Sequence, residues 1–407
     1  MQQVDVVVVG AGQAGLAVSR ALSDRGVDHV VLERDRVGQA WRDRWESFCL
    51  VTPNWMIDLP RTGYRGEDPD GFMPRDEIVG FLERYATDGA APIREGVEVT
   101  GARAQAGGGF VLDTSEGELR TSVLVACSGA YQRPYRPAGA ASLPPGVFAI
   151  DSIDYHRPAD LPPGDVLVVG SGQTGCQLAE ELHEDGRDVV LACGKAPWVP
   201  RRLGGRDITW WAAETGFLDQ PVSMLPDPRA RLDANLLATG HGGGHDLHYR
   251  TLQEAGVTLA GHFLGHEDGQ VRFAGDLADS VGWGDERYRR LMGLIRQLAD
   301  ERGIEGADTP EPEPFEASAP EQIPLDRFAA VVFAGGYRPN YGSWLPWPEA
   351  FDDLGFPAQV DGASSVVDGL YFCGVHFMRK RKSSILWGIG EDAAIVVAQI
   401  ASRLGAL

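Results

Sequence analysis

Two copies of one glycine spacing constrain this chain more than any other feature. Gly10-Ala11-Gly12-Gln13-Ala14-Gly15 and Gly170-Ser171-Gly172-Gln173-Thr174-Gly175 share the pattern G-x-G-x-x-G. Each follows a dense apolar run, Val4–Val9 or Val166–Val169. Apolar residues in succession, without alternation, suit a parallel strand buried on both faces. Each loop opens a stretch of helical composition that stops near a glycine, Gly26 or Gly186. A further strand then follows, His29–Leu32 or Asp188–Cys193. The first glycine of such a loop permits the turn, the second admits a pyrophosphate, and the third lets helix and strand pack closely. The bare helix N-terminus faces the phosphate charge. The expectation is an α/β chain with two Rossmann-like dinucleotide-binding domains.

The two units end differently. Glu33 closes the second strand of the first unit, where a carboxylate binds an adenosine ribose diol. The equivalent strand of the second unit runs into Cys193-Gly194-Lys195, with no acid. A carboxylate there would repel a 2′-phosphate, whereas Lys195, Arg201 or Arg202 would bind one. FAD is therefore expected in the first site and NADPH in the second. A nicotinamide donates hydride, and a flavin accepts it and passes electrons on singly or to oxygen.

Between the units, Pro158, Pro162, Pro163 and Gly164 mark a linker, and the Pro- and Glu-rich stretch 311–324 marks another. Strands are expected at Ala329–Ala334 and Leu370–Gly374, and a helix from about Ile385 to Leu404. The expected division is an FAD-binding domain at 1–157 and 326–407, interrupted by an NADPH-binding domain with a substrate-side insertion at 158–325. A chain of 407 residues, 43% apolar, can bury more than one core. The net charge of −21 argues against nucleic-acid and anionic-membrane partners. Five scattered cysteines without a C-x-x-C pair fit a reducing compartment and argue against disulfide chemistry. No basic leader precedes Val4–Val9, and that run is too short to span a bilayer, so a cytoplasmic protein is expected. No metal is expected, because Gly242–Gly244 break the helical spacing of His241, His245 and His248. Arg379-Lys380-Arg381-Lys382 forms a basic cluster that suits an anionic cofactor or an acidic substrate. Trp210, Trp211, Trp283, Trp344 and Trp347 read mostly as core.

Further segments carry a family likeness. Gly38-Gln39-Ala40-Trp41-Arg42-Asp43-Arg44-Trp45 is similar to a G-x-x-W-R-x-R-W segment, and Leu50-Val51-Thr52-Pro53 to an L-x-T-P motif. Phe72–Arg75 and Phe81–Ala86 resemble the helix that comes next. Ala126-Cys127-Ser128-Gly129 and Phe333–Pro339 resemble two A-T-G linker motifs. Gly369–Gly374 and Gly388–Ala393 resemble a C-terminal flavin motif. Together these resemble the class B flavoprotein monooxygenases, a group of flavin-containing monooxygenases, YUCCA proteins, Baeyer–Villiger enzymes and bacterial CzcO-like relatives.

The resemblance covers essentially the whole chain and implies domains of the three-layer ββα type. It implies FAD contacts at Gln13, Ala14, Arg34, Gln39, Ala40, Trp41, Arg42, Thr52, Val99, Gly129 and Gly374, beside the first loop and Glu33. It adds Gly335 and Tyr337 at the second linker. Asn54 is the expected hydrogen-bond donor to the oxygenated flavin. The implied reaction reduces FAD with NADPH, adds dioxygen at flavin C4a, and oxygenates a small molecule at nitrogen or sulfur. The alternatives are carbonyl chemistry of the Baeyer–Villiger or YUCCA kind, and a flavin reductase or non-catalytic flavoprotein. The motifs leave substrate and oligomeric state open, a homodimer included. One departure stands out: Asp151 occupies the place where relatives carry a histidine linked to domain movement and NADP contact.

Overall fold

The computed structural model describes residues 2–233, 235–305, 309–316 and 318–405. In the first unit, the strand Gln2–Val9 pairs in parallel with His29–Glu33 on one side and Gly117–Ala126 on the other. Ile93–Glu95 and Leu370–Phe372 extend the parallel sheet at its two ends. The valine run divides between two cores. Val6 and Val8 face a helical layer built from Gln13–Ser23, Arg75–Asp88 and Ile389–Leu404. Val4 and Val7 face a second layer, in which the antiparallel strands Val99–Ala104 and Phe110–Thr114 pack with Tyr341, Leu345 and Phe356. Helix, parallel sheet and antiparallel sheet are thus three layers, and burial from both sides explains the absence of polar alternation.

The second unit repeats the plan. Its five described strands are all parallel, in the order Ala149–Asp151, Phe328–Phe333, Asp165–Val169, Val189–Ala192, Thr258–Ala260. Val166, Val168 and Val332 face the helices Gln173–Glu184 and Tyr249–Ala255, and Leu167, Val169 and Val331 face Phe263, Val271 and Phe273.

This pairing corrects the expected domain limits. Ala149–Asp151 and Phe328–Phe333, assigned to the FAD-binding portion, are strands of the second sheet. The chain leaves the first sheet after Ala126 and returns after Phe333. Its two crossings pair as a short antiparallel ribbon, Arg133–Pro134 against Tyr337–Arg338. Phe328–Phe333 belongs in the second sheet because an apolar strand between Asp165–Val169 and Ala149–Asp151 is buried on both faces there. The last helix begins at Ile389, after a 3-10 turn over Arg381–Ser384, rather than at Ile385. Among the described residues, no helix is long and apolar enough to cross a membrane.

The third glycine of each loop holds helix against strand. A Cβ on Gly15 would lie 1.8 Å from the Gly10 carbonyl oxygen, and one on Gly175 would lie 1.8 Å from that of Gly170. Both obstacles are backbone and cannot swing away. A Cβ on Gly12 meets nothing within 4 Å. Gly15→Ala and Gly175→Ala are therefore expected to destabilise the apoprotein by about 1–3 kcal/mol or more, as overpacked sites do. Gly12→Ala should stay within about 0.5 kcal/mol, as surface changes do. Urea denaturation of the three apo variants measures this, and equal losses at all three positions would refute it.

Candidate functional site

The first loop presents a cradle. Gly10 takes φ +105°, in the left-handed region, and a Cβ there would approach the Cys127 carbonyl to 2.8 Å. The helix Gln13–Ser23 has Gly12 as its N-cap, no side-chain cap and no acid in its first turn. Its first N–H groups, including those of Ala14 and Gly15, are left to an anion from outside the helix. Glu33 stands at the mouth, where its carboxylate accepts the Ala11 N–H at 2.7 Å and the Asp35 N–H at 3.1 Å. Arg34 extends into solvent against Asp35. Val99 lies within the core strand beneath the sheet. The residue bonded to Glu33 is instead Val97, whose N–H reaches the Glu33 carbonyl at 2.9 Å.

One wall comes from residues 38–54. The Gln13 side chain accepts from Trp41 Nε1 at 3.0 Å and donates to the Ser384 carbonyl at 3.4 Å, tying this wall to the C-terminal segment. Gln39 bonds Asp43, Arg42 bonds the Val37 carbonyl and Glu83, and Ala40 is exposed. Gly374, at φ +79°, passes so close to the helix that a Cβ there would lie 2.4 Å from that of Ala14. Gly129 borders open space. Asn54 is buried two residues after the half-buried Thr52. Its amide donates to the Asp68 carbonyl at 2.9 Å, and its Oδ1 is buried without a partner. The unsatisfied atom is thus an acceptor, and the Asp68 carbonyl takes one of the two amide N–H groups.

The second loop has the same backbone. Gly170 takes φ +108°, and the helix Gln173–Glu184 has Gly172 as N-cap with no side-chain cap and no early acid. The side chains are turned to local duty. Ser171 Oγ lies 2.6 Å from the Tyr249 hydroxyl and accepts the Gly194 N–H at 2.8 Å. Gln173 donates to the Ala238 carbonyl, and Thr174 is half-buried beside it. Lys195 is exposed just beyond the strand end, and Arg202 is exposed with one contact to the Gly243 carbonyl.

Arg201 corrects an expectation. It is 2% exposed, it bonds Asp207 at 2.6 Å and the Val51 carbonyl at 2.8 Å, and it lies 4.2 Å from the Phe72 ring centroid. Burial pulls its pKa down, and Asp207 opposes that shift. No phosphate competes for such a guanidinium, which instead joins the second unit to the turn before Asn54. Asp151 is likewise engaged, in a bidentate pair with Arg136 at 2.7 and 3.1 Å. Gly335 packs against the Tyr135 carbonyl, and the Tyr337 hydroxyl lies 3.3 Å from Ser152 Oγ. His241 and His245 pair with Glu184 and Glu180, and His248 caps the helix Tyr249–Ala255. Trp211 is fully buried, and Trp344 and Trp347 pack on the core of the first unit.

The residues present fit a flavin dinucleotide in the first cradle. The open space over Gly12, the Glu33 carboxylate and the orphaned Asn54 acceptor supply, in turn, room, a diol partner and an unmet hydrogen bond. The second cradle, with Lys195 in place of an acid, fits a phosphorylated nicotinamide dinucleotide.

Comparison with known proteins agrees. Residues 7–204 match the pyridine nucleotide-disulphide oxidoreductase family model. A CzcO-like oxidoreductase of Geobacillus kaustophilus is 29% identical over 98% of this chain and 98% of its own. Indole-3-pyruvate monooxygenase YUCCA4 of Oryza sativa subsp. japonica is 26% identical over 98% and 87%. The structure of a flavin-containing monooxygenase from Stenotrophomonas maltophilia superposes with a TM-score of 0.69 at 17% identity, covering 99% of this chain and 100% of that one. With two dinucleotide cradles and these likenesses along its length, the chain is similar to the class B flavoprotein monooxygenases, and its cradles are those of an oxidoreductase whose cofactors are FAD and NADPH.

Proposed function

We propose that the enzyme uses NADPH and dioxygen to place one oxygen atom on the nitrogen or sulfur of a small molecule, the other atom leaving as water. The observation that carries this reading is the pair of uncapped helix N-termini, one served by Glu33 and the other by Lys195. Two dinucleotides in one chain imply electron transfer between them. Bound FAD supplies hydride acceptance and reactivity toward dioxygen.

The protein's own residues bind, orient and shield. The N–H groups of the first loop hold a pyrophosphate, and Glu33 holds the ribose diol. Asn54 Oδ1 offers an acceptor inside the site. Trp55 and Trp387, half-buried and in edge contact with centroids 6.2 Å apart, set apolar surface beside it. All five cysteines are buried and unpaired, so none reaches a disulfide substrate. Those buried thiols also support a cytoplasmic setting.

Three outcomes are expected. Purified yellow protein mixed with NADPH in air should bleach, consume oxygen and recolour. Failure to bleach with either NADPH or NADH would sink the enzyme reading, and slow bleaching without substrate oxygenation would favour a reductase. Lys195→Ala should raise KM for NADPH by about tenfold, within the range of a charged hydrogen bond, and leave KM for NADH unchanged. Arg201→Met should leave Asp207 buried and unpaired, lowering stability by about 3–5 kcal/mol without altering coenzyme preference. Steady-state kinetics with both coenzymes, alongside thermal melts, separates the two roles.

A further inference from the structure

Among the four consecutive cations 379–382, three are neutralised by acids. Arg379 bonds Asp361 at 2.9 Å and Asp392 at 2.7 Å. Lys380 bonds Asp219 at 2.9 Å and Glu391 at 2.8 Å, and Lys382 lies 2.9 Å from Asp219 and 3.3 Å from Glu391. Arg381 has no carboxylate partner among the described residues. Its guanidinium lies 4.1 Å from the Phe217 centroid and 4.8 Å from that of Phe377. It meets the neutral Gln220 side-chain oxygen at 3.3 Å, and its Nε is buried without a partner. Burial brings its pKa down to about 10.

A half-buried guanidinium whose Nε is shut off from water, with no counter-ion, is unfavourable. In a chain with 58 acids and 37 bases, whose neighbouring cations are all paired, the missing acid is a property of the site. Its surroundings reinforce it. Arg231 has one weak partner, Asp352 at 3.3 Å, and its Nε is also buried and unpartnered. His376, 7% exposed, feels both arginines, and burial together with their charge holds its pKa near 4, so it is neutral at pH 7. Both ends of the segment 374–384 touch the helix of the first cradle, through Gly374 on Ala14 and Ser384 on Gln13. Phe217 and Gln220 come from the insertion of the second unit. Both halves of the molecule therefore build this site, against the wall of the flavin cradle.

We infer that Arg381, with Arg231 beside it, is the receptor for a carboxylate on the substrate, so that the molecule oxygenated is a small organic acid such as an amino acid or thioether acid. The inference rests on the monooxygenase reading. Rings beside the guanidinium leave its Nε–Nη edge for a partner, and a planar two-oxygen acid matches that edge. The Gln220 amide, at 3.3 Å, is the weak contact that such an acid displaces. Cofactor phosphates already have the N–H groups of the two loops.

The test uses the FAD-loaded enzyme and matched probes that differ by one carboxylate: L-methionine with 3-(methylthio)propylamine, and L-ornithine with putrescine. Binding is read without oxygen from the perturbed absorbance of the flavin, and turnover from oxygen uptake with NADPH. At least one acid should bind ten times more tightly than its partner. Arg381→Gln should erase that preference and Arg381→Lys retain part of it, with FAD content and KM for NADPH unchanged. The inference is overturned if neither acid is preferred. It is equally overturned if Arg381→Gln sheds FAD or raises KM for NADPH, because the anion is then a cofactor phosphate. If Arg381→Gln does not fold, the wild-type probe pairs and Arg381→Lys decide. Acid-selective binding without NADPH-driven oxygen uptake would uphold the receptor and sink the monooxygenase reading.

Discussion

The contact between the third glycine of each loop and the carbonyl of the first is the constraint on which the rest depends. With no side chain at Gly15 or Gly175, the helix starts directly against the turn and points its bare N-terminus across the strand end. The first glycine is tied just as closely to a different part of the chain. A Cβ on Gly10 would meet the Cys127 carbonyl, and one on Gly170 would meet that of Ala334 at 2.6 Å. Those residues are where the polypeptide leaves each sheet for the other. Cofactor loop and inter-unit crossing are thus packed on the same atoms in both halves, so a shift of one crossing bears directly on a phosphate site.

The two crossings pair with each other, and the insertion of the second unit returns over the first. Arg201 reaches the Val51 carbonyl, Arg231 the Asp352 carboxylate, and Lys380 and Lys382 the Asp219 carboxylate. The first of these links meets the turn that carries Asn54, and the lysine links meet the segment 374–384. A buried ion pair such as Arg201–Asp207 gives little net stability. It does fix geometry, because both partners are desolvated and neither can leave alone. The second unit is therefore held at the edge of the flavin cradle by polar contacts and by Trp45 and Phe48, which pack into its apolar core.

Local grammar was legible in the sequence, and long-range partnership was not. Both strand–loop–helix units, the stops at Gly26 and Gly186, and the contrast between Glu33 and Lys195 follow from spacing and residue type. The sheet that receives Phe328–Phe333 does not, since a strand buried on both faces looks the same in either sheet. Arg201 and Arg202 are adjacent and chemically alike, yet one is sealed with Asp207 and the other is exposed. The decisive acid, Asp207, is brought back by a tight hairpin six residues on, and the Val51 carbonyl comes from the other unit. Arg381 was hidden in the same way: four neighbouring cations look equivalent until Asp219, Asp361, Glu391 and Asp392 are brought in from other segments.

Asp151 shows what a single residue change means once its partners are known. As a bare carboxylate at the end of a strand in a dinucleotide-binding sheet, it would repel coenzyme phosphate. It is instead gripped by both nitrogens of the Arg136 fork, and that guanidinium lies 4.7 Å from the Phe333 ring centroid. Arg136 belongs to the outgoing crossing, and Phe333 is the last residue of the strand before the return. The pair therefore neutralises the acid and pins one crossing to the other at the edge of the second sheet. A bidentate pair resists rotation more than a single hydrogen bond does, so the contact stiffens the outgoing crossing against the second sheet.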